Sequence, residues 1–202
     1  CIGHQAGDSI NTGGSNAAIG INALGTAQDV DYCVAIGEDA ARVMNEDDCD
    51  GSISIGHNAS YNHVANSGSS GAGAVLAIGF QAGYYLGAAT QTGNTMIGYK
   101  AMAGGKTDAA ASNTAGFNTA IGFYSGGGAS DGTGGTDVLT AGNGVYIGYK
   151  AGSELTTGNS NVLIGKAAGL KLTTGQSNVA IGYEALDAAT NEDQNIAIGY
   201  QT

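Results

Sequence analysis

The sequence predicts an all-β chain, a repetitive β-solenoid or β-roll with coils of about 17 residues. Three observations predict it. The dipeptide Ile-Gly recurs in phase eleven times, at Ile2, Ile19, Ile36, Ile55, Ile78, Ile97, Ile121, Ile147, Ile164, Ile181 and Ile198. The residues around each copy alternate with a period of two, the period of a strand. Glycine supplies 37 of 202 residues and proline none, which fits evenly spaced turns better than a flexible linker.

Successive isoleucines are 17, 17, 19, 23, 19, 24, 26, 17, 17 and 17 residues apart. Residues 1–202 therefore read as one repeat array, with regular coils over 1–37 and 147–202 and insertions over 38–146. The chain opens at Cys1-Ile2-Gly3 and closes just after Ile198-Gly199-Tyr200, both inside a repeat, as expected of a fragment of a longer chain. Counting from the Ile, position −3 is Asn at Asn16, Asn94, Asn118, Asn161, Asn178 and Asn195. Position −2 is mostly aliphatic or β-branched, −1 often Ala, +1 always Gly, and +4 Ala in nine copies. Position +2 is often aromatic, as at Phe80, Tyr99, Phe123, Tyr149, Tyr183 and Tyr200.

Strict alternation puts −2, 0, +2 and +4 on one face, a continuous apolar stripe, and −1, +1 and +3 on the other. The expected structural core is then the column Ile19, Ile36, Ile55, Ile78, Ile97, Ile121, Ile147, Ile164, Ile181 and Ile198. The invariant Gly marks a left-handed backbone or a close backbone approach. The recurrent Asn suits a turn whose side chain bonds nearby backbone. A single coil buries too little to order itself, so coils must stack. One apolar strand per coil makes a thin core, which favours association of several chains, here a homotrimeric fibre.

Other solenoids fit less well. A hexapeptide helix needs an aliphatic residue six after each Ile, where Asp8, Gly25, Arg42, Ser153 and Asp187 stand. The Gly-Gly-x-Gly-x-Asp nonapeptide of calcium rolls does not recur. An ice-binding array needs regular Thr pairs, and only Thr156-Thr157 and Thr173-Thr174 supply them.

The run Ser177-Asn178-Val179-Ala180-Ile181-Gly182 resembles the repeat of trimeric autotransporter adhesin heads. The whole unit from Ile164 to Gly182 is similar to repeats of phage and phage-like tail fibres, and the likeness extends over essentially the whole chain. The adhesin resemblance implies a trimeric parallel β-roll used for attachment. The tail-fibre resemblance implies a trimeric fibre that spans or recognises a host surface. Both imply an extracellular place, on a virion or a bacterial surface, with a host glycan or protein as partner beside the chain's own copies. The period departs from the shorter adhesin repeat, which leaves the coil geometry open.

The insertions 38–54, 57–77, 80–96, 99–120 and 123–146 are the first candidate site, because solenoid insertions emerge at the surface. Tyr61, His63, Tyr84, Tyr85, Lys100 and Lys106 there suit stacking on sugars; tolerated drift in a spacer explains the same loops. Asp47, Asp48 and Asp50, within Asn45–Gly51, are candidate Ca²⁺ ligands, though the motif is partial and a solvated charge run explains it better. Cys33 and Cys49 fall in adjacent coils and could form a disulfide, with buried thiols as the alternative. Cys1 takes the small −1 position and reads as core. The +2 aromatic column reads as a half-buried seam before a sugar ladder.

A formal charge of −11 with six scattered basic residues argues against nucleic acid and, more weakly, against anionic membranes. No apolar run reaches the roughly 20 residues of a membrane helix. No phosphate loop and no recurrent His-acid-nucleophile set is visible, so an enzyme is not expected. A polysaccharide-degrading spike with paired carboxylates is the catalytic alternative.

Overall fold

The computed structural model describes residues 1–45, 50–64, 73–86, 93–104, 115–127 and 140–202. It is an all-β solenoid. Ten short strands, β1 (Ala17–Ile19), β2 (Val34–Ile36), β4 (Ile53–Ile55), β6 (Leu76–Ile78), β8 (Thr95–Ile97), β9 (Thr119–Ile121), β10 (Val145–Ile147), β11 (Val162–Ile164), β12 (Val179–Ile181) and β13 (Ile196–Ile198), form one parallel sheet in chain order. A second parallel sheet joins β3 (Val43–Asn45), β5 (Asn62–Val64) and β7 (Tyr85–Leu86). The register is constant: Ile19 pairs Ile36, Ile36 pairs Ile55, and so on to Ile181 with Ile198. Insertions of different length leave this register intact, because each coil re-enters the ladder at the same point. Parallel strands need a crossover between them, and here the crossover is the remainder of the coil.

Inter-coil hydrogen bonds repeat with the register. The Gly165 N–H donates to the Ile147 carbonyl and the Gly182 N–H to the Ile164 carbonyl, each at 2.8 Å. The +1 glycines explain their invariance here. Gly56 has φ +131°, and a Cβ on it would stand 2.5 Å from the Gly79 carbonyl oxygen. No L side chain fits either the conformation or the space. Two residues later the chain is left-handed again, at non-glycine residues in every coil from Gln5 and Asn22 to Glu184 and Gln201. Each such residue costs on the order of 1 kcal/mol, offset by bonds to the coils above and below.

The glycine bend overturns one expectation. The isoleucines do form an unbroken column, but they do not form the core. Ile19, Ile36, Ile121, Ile181 and Ile198 are exposed, by 36 to 64 %, and Ile55, Ile78, Ile97, Ile147 and Ile164 are only half-buried. The lumen is filled from −1, at Ala18, Ala35, Ala77, Met96, Ala120, Tyr146, Leu163 and Ala180, all 0 or 1 % exposed. The +4 alanines also point inward, because the bend at +1 breaks the parity that would place them with the Ile. Where a large side chain stands at −1, the +5 residue can be glycine, as with Tyr146 and Gly152 or Leu163 and Gly169. Cys1, at −1, follows the inward set: its Sγ lies against Gly7 at +5, although the residue is exposed.

The −3 asparagines also act across coils and not only within their own turn. Asn178 Oδ1 accepts the Asn195 N–H at 2.9 Å, and its Nδ2 donates to the Glu192 carbonyl at 2.8 Å. Asn94, Asn118 and Asn161 repeat both bonds one coil apart. A buried amide is stable when both its donor and its acceptor are used.

Candidate functional site

The outer face of the ten-stranded sheet is uncharged and mostly apolar, with Thr95 and Thr119 as the polar members of the −2 column. Positions −2 and 0 from Val34 to Ile198 carry no charge, and the −2 residues Val34, Leu76, Val145, Val162 and Val179 are half-buried beside the Ile column. A soluble surface seldom shows so continuous an apolar strip without a use for it.

One edge of this face is an aromatic ladder. His57 stacks on Phe80, Phe80 on Tyr99, Tyr99 on Phe123 and Phe123 on Tyr149, with centroids 4.9 to 5.3 Å apart and planes within 10°. Tyr183 stacks on Tyr200 in the same way at 5.0 Å. The spacing is the inter-strand distance of a sheet. Each ring face therefore lies against the ring of the next coil, and what the ladder offers outward is ring edges. Sugars stack on ring faces, so this arrangement suits apolar packing better than glycan stacking. Lys100 Nζ lies 5.7 Å from the Tyr99 centroid and 5.5 Å from that of Tyr124, and Lys150 Nζ 5.9 Å from that of Tyr149.

A second cluster stands where β3, β5 and β7 begin. Tyr61 stacks on Tyr84 at 5.1 Å, and Tyr84 meets Tyr85 edge-on at 4.3 Å. Arg42 lies over Tyr61, donates to its hydroxyl at 3.3 Å and pairs with Asp39 at 3.6 Å. Burial, then the neighbouring Tyr85, pushes the pKa of the Tyr84 hydroxyl up to about 12. A cation, several hydroxyls and stacked rings on adjacent coils form a polar aromatic patch.

Of the residues expected to bind, Tyr61, Tyr84 and Tyr85 thus come together. Lys100 belongs to the ladder instead. His63 is no surface residue: it is 0 % exposed in β5, in register with Met44 and Leu86, and its burial lowers its pKa to about 4. Strand alternation turns it inward while Tyr61, two residues earlier, lies before the strand begins. Lys106, Asp47, Asp48 and Cys49 lie outside the described residues. Asp50 Oδ1 accepts the Asp31 N–H at 2.6 Å, and Asp31 in turn accepts the Gly14 N–H, so both carboxylates serve the coil ladder. Among the described residues no group of three or more His, Cys, Asp or Glu could hold a metal ion. Cys33 is buried, its thiol lies 3.4 Å from the Asp31 carbonyl, and burial raises its pKa. Thr156 and Thr173 donate their hydroxyls to the Thr173 and Thr190 carbonyls, at 3.0 and 2.9 Å, which spends them on the ladder. No helix among the described residues is long and apolar enough to cross a membrane.

Sequence reasoning named Tyr61, Tyr84 and Tyr85 as separate loop residues without Arg42 or their clustering, and it read the +2 column as a half-buried seam without the ring-on-ring stacking. The constant offset of those aromatics from Ile was the signal. In a parallel, in-register sheet it places identical positions one inter-strand distance apart. Comparison with known protein families, characterised proteins and solved structures returns no match. The fold and surface define the chain as a parallel β-solenoid with one apolar side.

Proposed function

We propose that this chain is a structural and attachment segment of an extracellular homotrimeric fibre of the phage tail-fibre kind. The observation that carries the proposal is the uncharged outer strip formed by the Ile column, the −2 column and the edges of the aromatic ladder. An occupant of that strip must present apolar groups at the inter-strand spacing over ten rungs. A parallel copy of the same chain does so rung for rung. Rotation about an axis along the solenoid keeps inserted coils level with inserted coils, and three copies close the apolar strips around that axis. The resemblance of the repeat to tail-fibre and adhesin-head units supports the same reading.

Sedimentation velocity tests it: an elongated trimer is expected, and a compact monomer overturns it. Ile97→Ser with Ile121→Ser is expected to yield monomers that keep their β circular dichroism. A bacterial adhesin head would assemble the same way, and the full-length gene separates the two through a virion-attachment domain or a membrane anchor. The Arg42–Tyr61–Tyr84–Tyr85 patch favours a gripping role over a mere spacer. Binding to host-surface glycans that is lost in Tyr61→Ala is the expected result. Release of oligosaccharides during that assay would instead point to a polysaccharide-degrading spike.

A further inference from the structure

The apolar lumen is not continuous. One cluster of buried side chains runs from Ala18 to Met44, and a second from Ala59 to Ala185. The break falls between the Ile36 coil and the Ile55 coil, whose Ala59 already belongs to the second cluster. Four positions point inward in these coils: −1, +4, +5 and +8. Around Ile36 they hold Ala35, Ala40, Ala41 and Met44, and around Ile164 Leu163, Ala168, Gly169 and Leu172. Around Ile55 they hold Ser54, Ala59, Ser60 and His63. Three of the four are polar, and all three are 0 % exposed.

Two further polar groups in this coil are satisfied. Ser52 Oγ accepts the Val75 N–H at 3.2 Å, doing the work of the missing Asn, and Asn58 Nδ2 lies 3.0 Å from a ring nitrogen of His57. The hydroxyls of Ser54 and Ser60 are buried and reach no partner. In other coils the +5 residue packs against the −1 residue. A Cβ on Gly169 would meet the Leu163 side chain at 2.8 Å, and one on Gly126 the Ala120 Cβ at 2.9 Å. In this coil the same packing sets hydroxyl groups where apolar contact holds the others together. The Tyr146 hydroxyl is also buried without a partner, but it sits inside the longer cluster, which stays continuous around it.

In a solenoid each coil touches only its two neighbours, so stability is a sum over adjacent interfaces. A coil whose inner face is polar weakens the interfaces on both its sides, because a buried polar group without a partner keeps its full desolvation cost. We infer that the coil 50–64 is the joint at which this rod opens first. It separates the coils built on Ile2, Ile19 and Ile36 from those built on Ile78 onward. The inference concerns the interior of the coil and is independent of self-association through the outer face.

Native-state hydrogen exchange resolved by mass spectrometry tests it on the whole chain. The reporters are the N–H groups of Gly56, Asn58 and Ala41, which donate across the interface between the Ile36 and Ile55 coils. The comparison groups are Gly122 and Tyr124, which donate between the Ile97 and Ile121 coils. Those coils carry longer insertions, so they separate the effect of insertion from that of the polar interior. A step in protection on the order of 100-fold between the two interfaces is expected from two buried hydroxyls. Ser54→Ala with Ser60→Ala, which restores the residues found at −1 and +5 of the Ile36 coil, is expected to erase the step. Protection that changes smoothly inward from the ends overturns the inference, as does an undiminished step in the folded double variant. Should that variant fail to fold, the wild-type profile decides alone.

Discussion

Lys166 Nζ lies 4.9 Å from the centre of the Tyr183 ring and 3.5 Å from its hydroxyl, in the ladder place that other coils give to an aromatic ring. Without a ring at this place, the stack that runs from His57 to Tyr149 ends, and it resumes at Tyr183. A cation over a ring face supplies part of what a ring would.

Replacing Lys166 by Tyr should join the two stacks. The gain expected is about 0.5–1.5 kcal/mol, a rise of roughly 1–6 °C in Tm. Lys166→Ala should cost about 0.5–1 kcal/mol. Thermal unfolding followed by circular dichroism checks both, and a Tyr variant less stable than wild type would show that the ladder is not a source of stability.

The inside and the outside of the coil can be told apart by two neighbours in β12. Ala180 is 0 % exposed and Ile181 is 36 % exposed. Ala180→Leu should destabilise the fold by about 1–3 kcal/mol, because the +5 residue of its coil is Leu186, where the coil of Leu163 has Gly169. Ile181→Thr should leave the fold of the single chain within about 1 kcal/mol while weakening self-association. Urea titration and sedimentation of both variants are the measurements. The reverse pattern, with Ile181 sensitive and Ala180 tolerant in the isolated chain, would put the lumen on the wrong side.

The architecture was legible in the sequence because a fixed backbone period leaves its mark on every copy. The in-phase Ile-Gly pairs at Ile19, Ile36 and Ile164 required stacked, registered strands, and strands are what they form. The choice of inner face was not legible. Alternation sorts residues into two sets but does not say which set faces the lumen, and Ile is the more apolar residue. The bend at Gly20 or Gly182, with φ near +135°, is what carries Ala23 and Ala185 inward, and it depends on backbone contact between coils. His63 was misplaced for a related reason. Its neighbours in sequence read as an insertion, while in space it occupies the slot that Met44 fills one coil earlier.

Asn161 should be one of the costlier single deletions. Asn161→Ala removes the acceptor for the Asn178 N–H and the donor to the Gly175 carbonyl. Asn161, Asn178 and Gly175 are all buried, so backbone groups are left without partners in the interior. About 2–4 kcal/mol should be lost, with the denaturant m-value unchanged. Asn195→Ala, at a partly exposed position of the same column, should cost less than half as much, because water can reach the groups it leaves. Equal losses at the two positions would mean that the column acts through turn conformation and not through inter-coil bonds.

Acid should weaken the fold through His63. Burial holds its folded pKa at about 4, against 6.5 for the exposed side chain. Between those values the unfolded chain binds a proton that the folded chain refuses. Stability therefore rises with pH across that window: it is full above about 6.5, falls as the pH drops toward 4, and is not lowered further by this group below that. A tenfold difference in proton affinity between the folded and unfolded chains is worth about 1.4 kcal/mol, so the loss across the window is on the order of 3 kcal/mol. His63→Met, which copies the residue at the same position one coil earlier, should flatten that part of the profile. Urea unfolding of the two proteins at about pH 7.5, 5.5 and 4.5, one value above the window and two within it, gives the difference directly. If the stability difference between them is the same at all three, His63 is not the group that titrates.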